Sequence, residues 1–142
     1  GCLETGASGS AVHRIFMEKL AQKRVSMLSD KYNRGEQILL EDILEALGQE
    51  DVLAIEVMET VGHTLGKAMA GLINLFNPDL IVLGGTLAVA KDYIMLPLKS
   101  AINKYSLQLV NKDTTIKLSK LGEKAGAVGA CMLSRSKMLG LM

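Results

Sequence analysis

The sequence predicts an α/β fold that is rich in helices and contains two short strands. A long run with helical spacing leads into Asn77-Pro78-Asp79, where proline ends the helix and the flanking residues favour a turn. The apolar run Leu80–Leu83 then fits a strand covered on both faces, as in a parallel sheet. Gly84 and Gly85 follow at its carboxyl end, where open α/β sheets bind ligands and where glycine lets backbone amides approach a phosphate. A tight strand-to-loop turn is the alternative interpretation of this pair.

Size and composition limit the classes of protein that need to be considered. The 142 residues, 49% of them hydrophobic, predict one domain with a buried core. A net charge of +1 predicts no broad attraction to nucleic acid or to a membrane surface. No apolar run is long enough for a membrane span and no signal peptide is recognisable, so we expect a cytoplasmic protein. Because Gly1-Cys2-Leu3-Glu4 looks like the inside of a motif, residues 1–142 are expected to be part of a longer protein.

The first third of the chain predicts two helices joined by a connector. Residues 3–27 show helical spacing, which Ser8-Gly9-Ser10 interrupts. Residues 29–35 read as the connector. Residues 41–47 predict a short helix, with Gly48 as its C-cap.

The longest element is predicted to begin after Asp51, whose carboxylate suits an N-cap. Small residues recur at four-residue spacing within this helix and allow another backbone to pack closely against it, which would compensate for glycine's low helix propensity. These residues are Gly62, Gly66 and Ala70. Together with Gly62, apolar residues recur at alternating steps of three and four positions, namely Ile55, Met58, Leu65, Met69, Leu72 and Phe76.

Beyond the strand, residues 86–92 are predicted as a loop and residues 93–104 as a helix. Pro97 suits only the first turn of a helix, so this helix is expected to begin near Leu96. Residues 114–121 alternate in hydropathy and predict a second, less deeply covered strand. Residues 127–138 predict a last helix, with Cys131 as a small core residue. His13 and His63 have no second ligand at metal-binding spacing, so both are expected to have ordinary surface or helix-side roles.

Three motifs, in order along the chain, resemble the ROK family of sugar-responsive repressors and sugar kinases. The run Gly1-Cys2-Leu3-Glu4-Thr5 resembles the end of that family's signature. The run from Asn77 to Gly85 looks like its nucleotide-phosphate stretch, and the run from Leu121 to Ala130 resembles the approach to its final helix. The resemblance implies an actin-like (ribonuclease H-like) ATPase domain, of which this chain would be a helix-rich fragment with a short parallel strand pair.

The family's site residues carry over to five positions. Cys2 would be the last thiolate of a structural zinc site of one histidine and three cysteines. Glu4 would accept hydrogen bonds from a sugar hydroxyl. Gly84 and Gly85 would present amides to the phosphates of ATP in kinase members, and Gly126 would lie near the nucleoside. Kinase members bear their catalytic aspartate upstream of the region that this chain matches, so no catalytic residue is assigned here.

The resemblance leaves two functions open. One is a carbohydrate-sensing transcriptional regulator, with this chain as the ligand-binding and homodimerisation part and with DNA bound by a separate amino-terminal domain. The other is an ATP-dependent sugar kinase, so enzymatic activity stays undecided at this stage. Thr86, at a position where many kinases have a third glycine, favours the regulator, as does the long connector at residues 25–50. A structural or dimerisation module without a ligand is a third interpretation, supported by the row of small residues.

Overall fold

The computed structural model describes residues 9–84, 86–107, 114–118 and 130–133, with Thr86 and the last four residues described by their backbone. None of the helices among these residues is long and apolar enough to cross a membrane. The α-helices are α1 (Gly9–Ala21), α2 (Ser29–Asn33), α3 (Leu40–Gly48), α4 (Val52–Phe76) and α5 (Asp92–Tyr105). The strands are β1 (Leu80–Leu83), β2 (Thr115–Leu118) and β3 (Ala130–Leu133), and a 3-10 helix spans Thr86–Ala90.

Helix α4 begins at the predicted N-cap. One carboxylate oxygen of Asp51 (Oδ2) accepts a hydrogen bond from the amide of Ala54 at 3.1 Å, which satisfies one of the free amides of the first turn. The same carboxylate also accepts from the Ser26 hydroxyl at 2.8 Å and from the Met27 amide at 3.0 Å. Asp51 therefore both caps α4 and fastens the connector that follows α1.

Helix α4 is the centre of the hydrophobic core. Its buried face is wider than the predicted row, because α1, α3 and α5 all pack against it. Of the predicted row, Ile55, Leu72 and Phe76 are only half-buried. The fully buried large side chains of α4 are Leu53, Met58, Leu65, Met69 and Ile73.

Helix α5 packs closely against Gly62 and Gly66 of the row of small residues on α4, as predicted. A Cβ atom added to Gly66 would lie 2.4 Å from the carbonyl oxygen of Leu98 and 2.8 Å from the Cβ of Ala101. A Cβ atom added to Gly62 would lie 2.7 Å from Cγ of Pro97. Each glycine therefore leaves room for backbone or ring atoms of α5 that no other residue would accommodate.

The prediction that α5 begins near Leu96 is wrong, since the helix begins at Asp92 and runs through Pro97. An interior proline removes one helical hydrogen bond and costs about 3 kcal/mol. The pyrrolidine ring instead fills the space that Gly62 leaves on α4. Packing between two helices thus keeps the proline where local preference alone would exclude it.

The sheet has the strand order β2-β1-β3. Strands β1 and β2 are parallel, with Leu80 opposite Thr115, so the predicted parallel pair is confirmed. Strand β1 is apolar but unequally covered, because Ile81 and Leu83 are buried while the alternate residues are half-buried. The protein has an α/β fold that is rich in helices.

The predicted last helix at residues 127–138 is wrong over the part that the structure describes. Ala130–Leu133 forms β3, which pairs antiparallel with β1, and Cys131 lies opposite Val82. The small residues of this run are compatible with a helix, but pairing with β1 is a long-range contact that local sequence does not report. The strand supplies β1 with a second neighbour, which a two-stranded sheet would lack.

Smaller corrections concern the helix ends. Helix α1 stops at Ala21 rather than near residue 27, and Lys23 adopts a positive φ of 66° just beyond it. The expected connector at residues 29–35 contains α2, and the expected loop at residues 86–92 contains the 3-10 helix. Gly48 is the last residue of α3, and the backbone with positive φ follows at Glu50 (63°).

Helix α3 starts with one half of a capping box. The amide of Leu39 donates to the Asp42 carboxylate at 2.8 Å, and the Lys31 ammonium lies 3.2 Å from the same oxygen. The Leu39 amide is the main cause of a lowered pKa for the Asp42 carboxyl; partial burial opposes that shift and Lys31 adds to it. Leu39 has no side-chain acceptor, so the other half of the box cannot form.

Replacing Gly66 with alanine tests the close approach of α4 and α5. The added methyl group collides with α5 backbone, so Gly66→Ala should lower the free energy of unfolding by about 1–3 kcal/mol despite alanine's higher helix propensity. The matched control is Gly71→Ala on the same helix, where an added Cβ meets no atom within 4 Å. It should raise stability by about 0.5–1 kcal/mol. Equal denaturant midpoints for the two variants would contradict this packing.

Replacing Asp42 with asparagine tests the capping contact through its pH dependence. A carboxyl whose pKa is lowered on folding stabilises the protein above its unfolded pKa, about 3.9, and this contribution disappears as the pH falls through the lower folded value. Asp42→Asn should therefore cost about 1–2 kcal/mol at pH 7, and the difference from wild type should shrink as the pH falls towards about 2.

The control for this pH series is Asp30→Asn. The Asp30 side chain is exposed and makes no hydrogen bond or ion pair with the rest of residues 9–84. Urea denaturation at several pH values gives both curves. A difference between wild type and Asp42→Asn that does not change with pH would show that the carboxylate does not cap α3.

Candidate functional site

The carboxyl end of β1 is the described part of the predicted ligand site. Because β1 and β2 are parallel, with Leu83 opposite Leu118, both strands end at the same edge of the sheet. Gly84 follows β1 directly at this edge and is half-buried. The predicted position of Gly84 is therefore confirmed, and its contact with phosphate stays a prediction.

The other predicted site residues fall outside the described ranges. They are Cys2, Glu4, Gly85 and Gly126. Their predicted roles in zinc, sugar and nucleotide binding therefore carry forward as predictions from the resemblance.

A cavity of about 320 Å³ lies between α3 and residues 89–93, which follow Gly84 through the 3-10 helix. Leu44, Leu47 and Gly48 line it from α3. On the opposite side the lining is mainly apolar, except for the consecutive charged residues Lys91 and Asp92. The size and the apolar lining suit a small ring system, with charged groups at one side to fix its orientation.

Lys91 has an unusual backbone conformation, with φ 51° and ψ −122°. This differs from the left-handed helical conformation of Asn77, at φ 44° and ψ 55°, which short polar residues tolerate. A side chain with a Cβ in such a sparsely populated region costs about 1–3 kcal/mol, and glycine would avoid that cost. The carbonyl of Lys91 accepts hydrogen bonds from the amides of Ile94 at 3.1 Å and Met95 at 3.0 Å, so this turn directs the chain into α5.

A second cavity, of about 570 Å³, opens beside the first turn of α1. Ser10, His13 and Tyr32 contribute hydrogen-bonding groups and an aromatic ring to its lining.

His13 Nε2 donates to the carbonyl of Ile38 at 2.7 Å and so connects α1 to the segment before α3. His63 packs against the Tyr105 ring, with 5.7 Å between the ring centroids. Both histidines thus lie on helices and contact neighbouring residues.

Sequence reasoning did not single out the residues that line the first cavity. A short helix was predicted at residues 41–47, but nothing in its sequence indicated that its residues border a cavity. The φ of Lys91 has no signature in the sequence, because lysine is a residue type that rarely adopts it. The only sequence signal for this cavity was that part of its lining lies close in sequence to the glycine pair.

Comparison with known proteins identifies the relatives of this chain. The model of the ROK family matches residues 1–137. The glucokinase of Halalkalibacterium halodurans is 31% identical over 137 residues, which cover 96% of this chain and 42% of that protein. The N-acetylglucosamine repressor of Escherichia coli is 33% identical over 139 residues, which cover 98% of this chain and 33% of that protein.

A solved structure gives the same result. The crystal structure of a ROK family transcriptional regulator, a homolog of the E. coli MLC protein, superimposes with a TM-score of 0.72 and 34% identity. The match covers 83% of this chain and 29% of that one. This chain therefore spans less than half the length of each of these relatives. The family match along nearly the whole chain shows that the protein belongs to the ROK family, as the three sequence motifs predicted.

Proposed function

We propose that the protein is a carbohydrate-sensing transcriptional regulator of the ROK type and that this chain is its carboxyl-terminal, ligand-binding and dimerisation part. The observation that carries the proposal is the superposition on a ROK transcriptional regulator over 83% of the chain at 34% identity. The E. coli N-acetylglucosamine repressor, 33% identical, supports it. The whole domain is then actin-like, of the ribonuclease H-like type, and the protein works in the cytoplasm as a homodimer.

In this proposal Glu4 is the sugar-binding residue. A carboxylate in a partly desolvated pocket accepts short, charge-assisted hydrogen bonds from sugar hydroxyls. Glu4 shortly precedes α1 in the sequence, and the 570 Å³ cavity beside the first turn of α1 supports a ligand site on this side of the protein. Cys2 supplies one thiolate of a structural zinc site whose closed tetrahedral geometry would hold this segment in place.

Sugar can regulate DNA binding only if it binds one conformation better than the other. The sugar must prefer the state with low affinity for DNA, and its differential affinity then sets the extent of the shift. DNA is read by a separate amino-terminal domain, since a net charge of +1 gives this chain no general attraction to phosphate backbones. The relatives' names indicate glucose and N-acetylglucosamine as the first sugars to test.

An ATP-dependent sugar kinase is the second candidate function. It is supported by the glucokinase relative at 31% identity and by the 320 Å³ cavity close in sequence to Gly84. Gly84 and Gly85 would present amides to the phosphates, and Gly126 would lie near the nucleoside. Closure of the two lobes would then align a sugar hydroxyl with the γ-phosphate and exclude water.

Replacing Glu4 with glutamine in the full-length protein tests the sugar site. Loss of the charged acceptor should weaken binding of the preferred sugar about 10- to 100-fold in calorimetric titration, with the melting temperature unchanged. Glu18→Gln is the matched control. Within the part of the chain that the structure describes, the Glu18 side chain makes only an exposed ion pair with Arg14, so this variant should leave affinity unchanged. Unchanged sugar affinity in Glu4→Gln would remove Glu4 from the site.

The same full-length protein separates the two candidate functions. We expect it to bind a sugar without consuming ATP when it is assayed against glucose, N-acetylglucosamine and other hexoses. Sustained ATP consumption that depends on the sugar would instead identify a kinase.

A further inference from the structure

The α1 cavity is the space of about 570 Å³ between the first turns of α1 and residues 32–40. Gly35, with φ 78°, turns the chain out of α2, and its amide donates to the carbonyl of Tyr32 at 3.0 Å. His13 Nε2 on α1 donates to the carbonyl of Ile38 at 2.7 Å, which joins the two walls. Contacts within the protein therefore fix both walls, and a ligand would meet a preformed site.

Three polar groups in the lining of the α1 cavity make no hydrogen bond with the described residues, namely His13 Nδ1, the Tyr32 hydroxyl and the Gln37 amide. A carbonyl oxygen only accepts, so Nε2 of His13 carries a proton and Nδ1 of the neutral ring is an acceptor. The Tyr32 hydroxyl and the Gln37 amide can each donate and accept. Donors and acceptors in one place suit a ligand with hydroxyl groups, since a hydroxyl also does both.

Tyr32 gives the same cavity an apolar surface. It packs against the hydrophobic core, which holds its ring in place. Met17, Leu39 and Leu40 add aliphatic side chains to the lining, and Leu39 is 46% exposed. A sugar ring has an apolar face of C–H groups and a polar edge of hydroxyl groups, so it fits both parts of the lining.

The charges of the lining favour an uncharged ligand. Among the described residues that line the α1 cavity, Glu36 is the one acidic residue, and there is neither a lysine nor an arginine. The Glu36 carboxylate is paired with the Arg34 guanidinium, and both side chains are exposed. The cavity therefore offers no excess positive charge to a phosphate or carboxylate.

We infer that the α1 cavity is a subsite for a second, uncharged sugar ring, so that the ligand is a disaccharide or a longer glycoside. Tyr32 stacks on the C–H face of this ring, and His13 and Gln37 bond its hydroxyl groups. Ligand sites begin at roughly 300 Å³, so a whole ring fits in the cavity without the help of Glu4. The inference rests on the proposed sugar-sensing function, which assigns the first ring to Glu4.

The experiment titrates the full-length protein calorimetrically with two pairs of sugars, glucose with cellobiose and N-acetylglucosamine with N,N'-diacetylchitobiose. In at least one pair the disaccharide should bind about tenfold more tightly, because its second ring adds stacking and hydrogen bonds. Tyr32→Ala should remove this gain and leave the affinity for the monosaccharide unchanged. Tyr32→Phe keeps the ring and should retain most of the gain.

Two exposed glutamines provide a matched pair of variants that should not disturb folding. Gln37→Ala should weaken binding of the disaccharide about three- to tenfold and leave the monosaccharide unchanged, because one hydrogen bond to the second ring is lost. Gln49 is exposed at the end of α3 and does not line the α1 cavity, so Gln49→Ala should bind all four sugars like wild type. Equal melting temperatures of these two variants would show that a loss of affinity in Gln37→Ala is local.

The outcomes separate this inference from the proposed function. If wild type binds a monosaccharide and its disaccharide no more tightly, the inference is wrong and the sugar-sensing proposal stands. If the disaccharide binds more tightly and Gln37→Ala and Tyr32→Phe both match wild type while Tyr32→Ala keeps the gain, the second ring lies elsewhere and the inference is wrong. If none of the four sugars binds, the inference is wrong, and the remaining hexoses then decide the sugar-sensing proposal.

Discussion

The close approach of α4 and α5 is the constraint on which the rest of the described structure depends. Gly66 lets the backbone of α5 approach α4 so closely that a single methyl group would collide with it. Gly62 makes room for the ring of Pro97 in the same interface. Since α5 follows β1 and precedes β2, the fixed position of α5 also determines where the parallel strands lie relative to the core.

This arrangement determines how the chain leaves the sheet. Strand β1 ends at Leu83, and a 3-10 helix precedes Lys91, after which α5 runs alongside α4 in the same direction. The unfavourable backbone of Lys91 is tolerated because the core on both sides of it is fixed, with Leu87 and Ile94 almost fully buried. The cavity beside Lys91 is thus formed where α3 packs against residues 89–93, and the glycine pair alone does not define it.

Features with local causes could be predicted from the sequence. A carboxylate before an apolar periodic run predicted the N-cap of α4 at Asp51, and Asn77-Pro78 predicted its end. Features set by distant contacts could not be predicted. Pro97 lies inside a helix because of Gly62, and the strand at Ala130–Leu133 exists because it pairs with β1. No local signal in the sequence predicts the conformation of Lys91. The family membership did have a sequence signal, because three short motifs in order sufficed to predict it.

We propose that Glu4, as the sugar-binding residue, and the carboxyl end of β1 face one cleft. A crystal structure of the full-length protein with its sugar bound tests this claim most directly. We expect the Glu4 carboxylate to lie within hydrogen-bond distance of a sugar hydroxyl and Gly84 to face the same cleft. Glu4 and Gly84 on opposite surfaces, with the sugar in contact with neither, would contradict it.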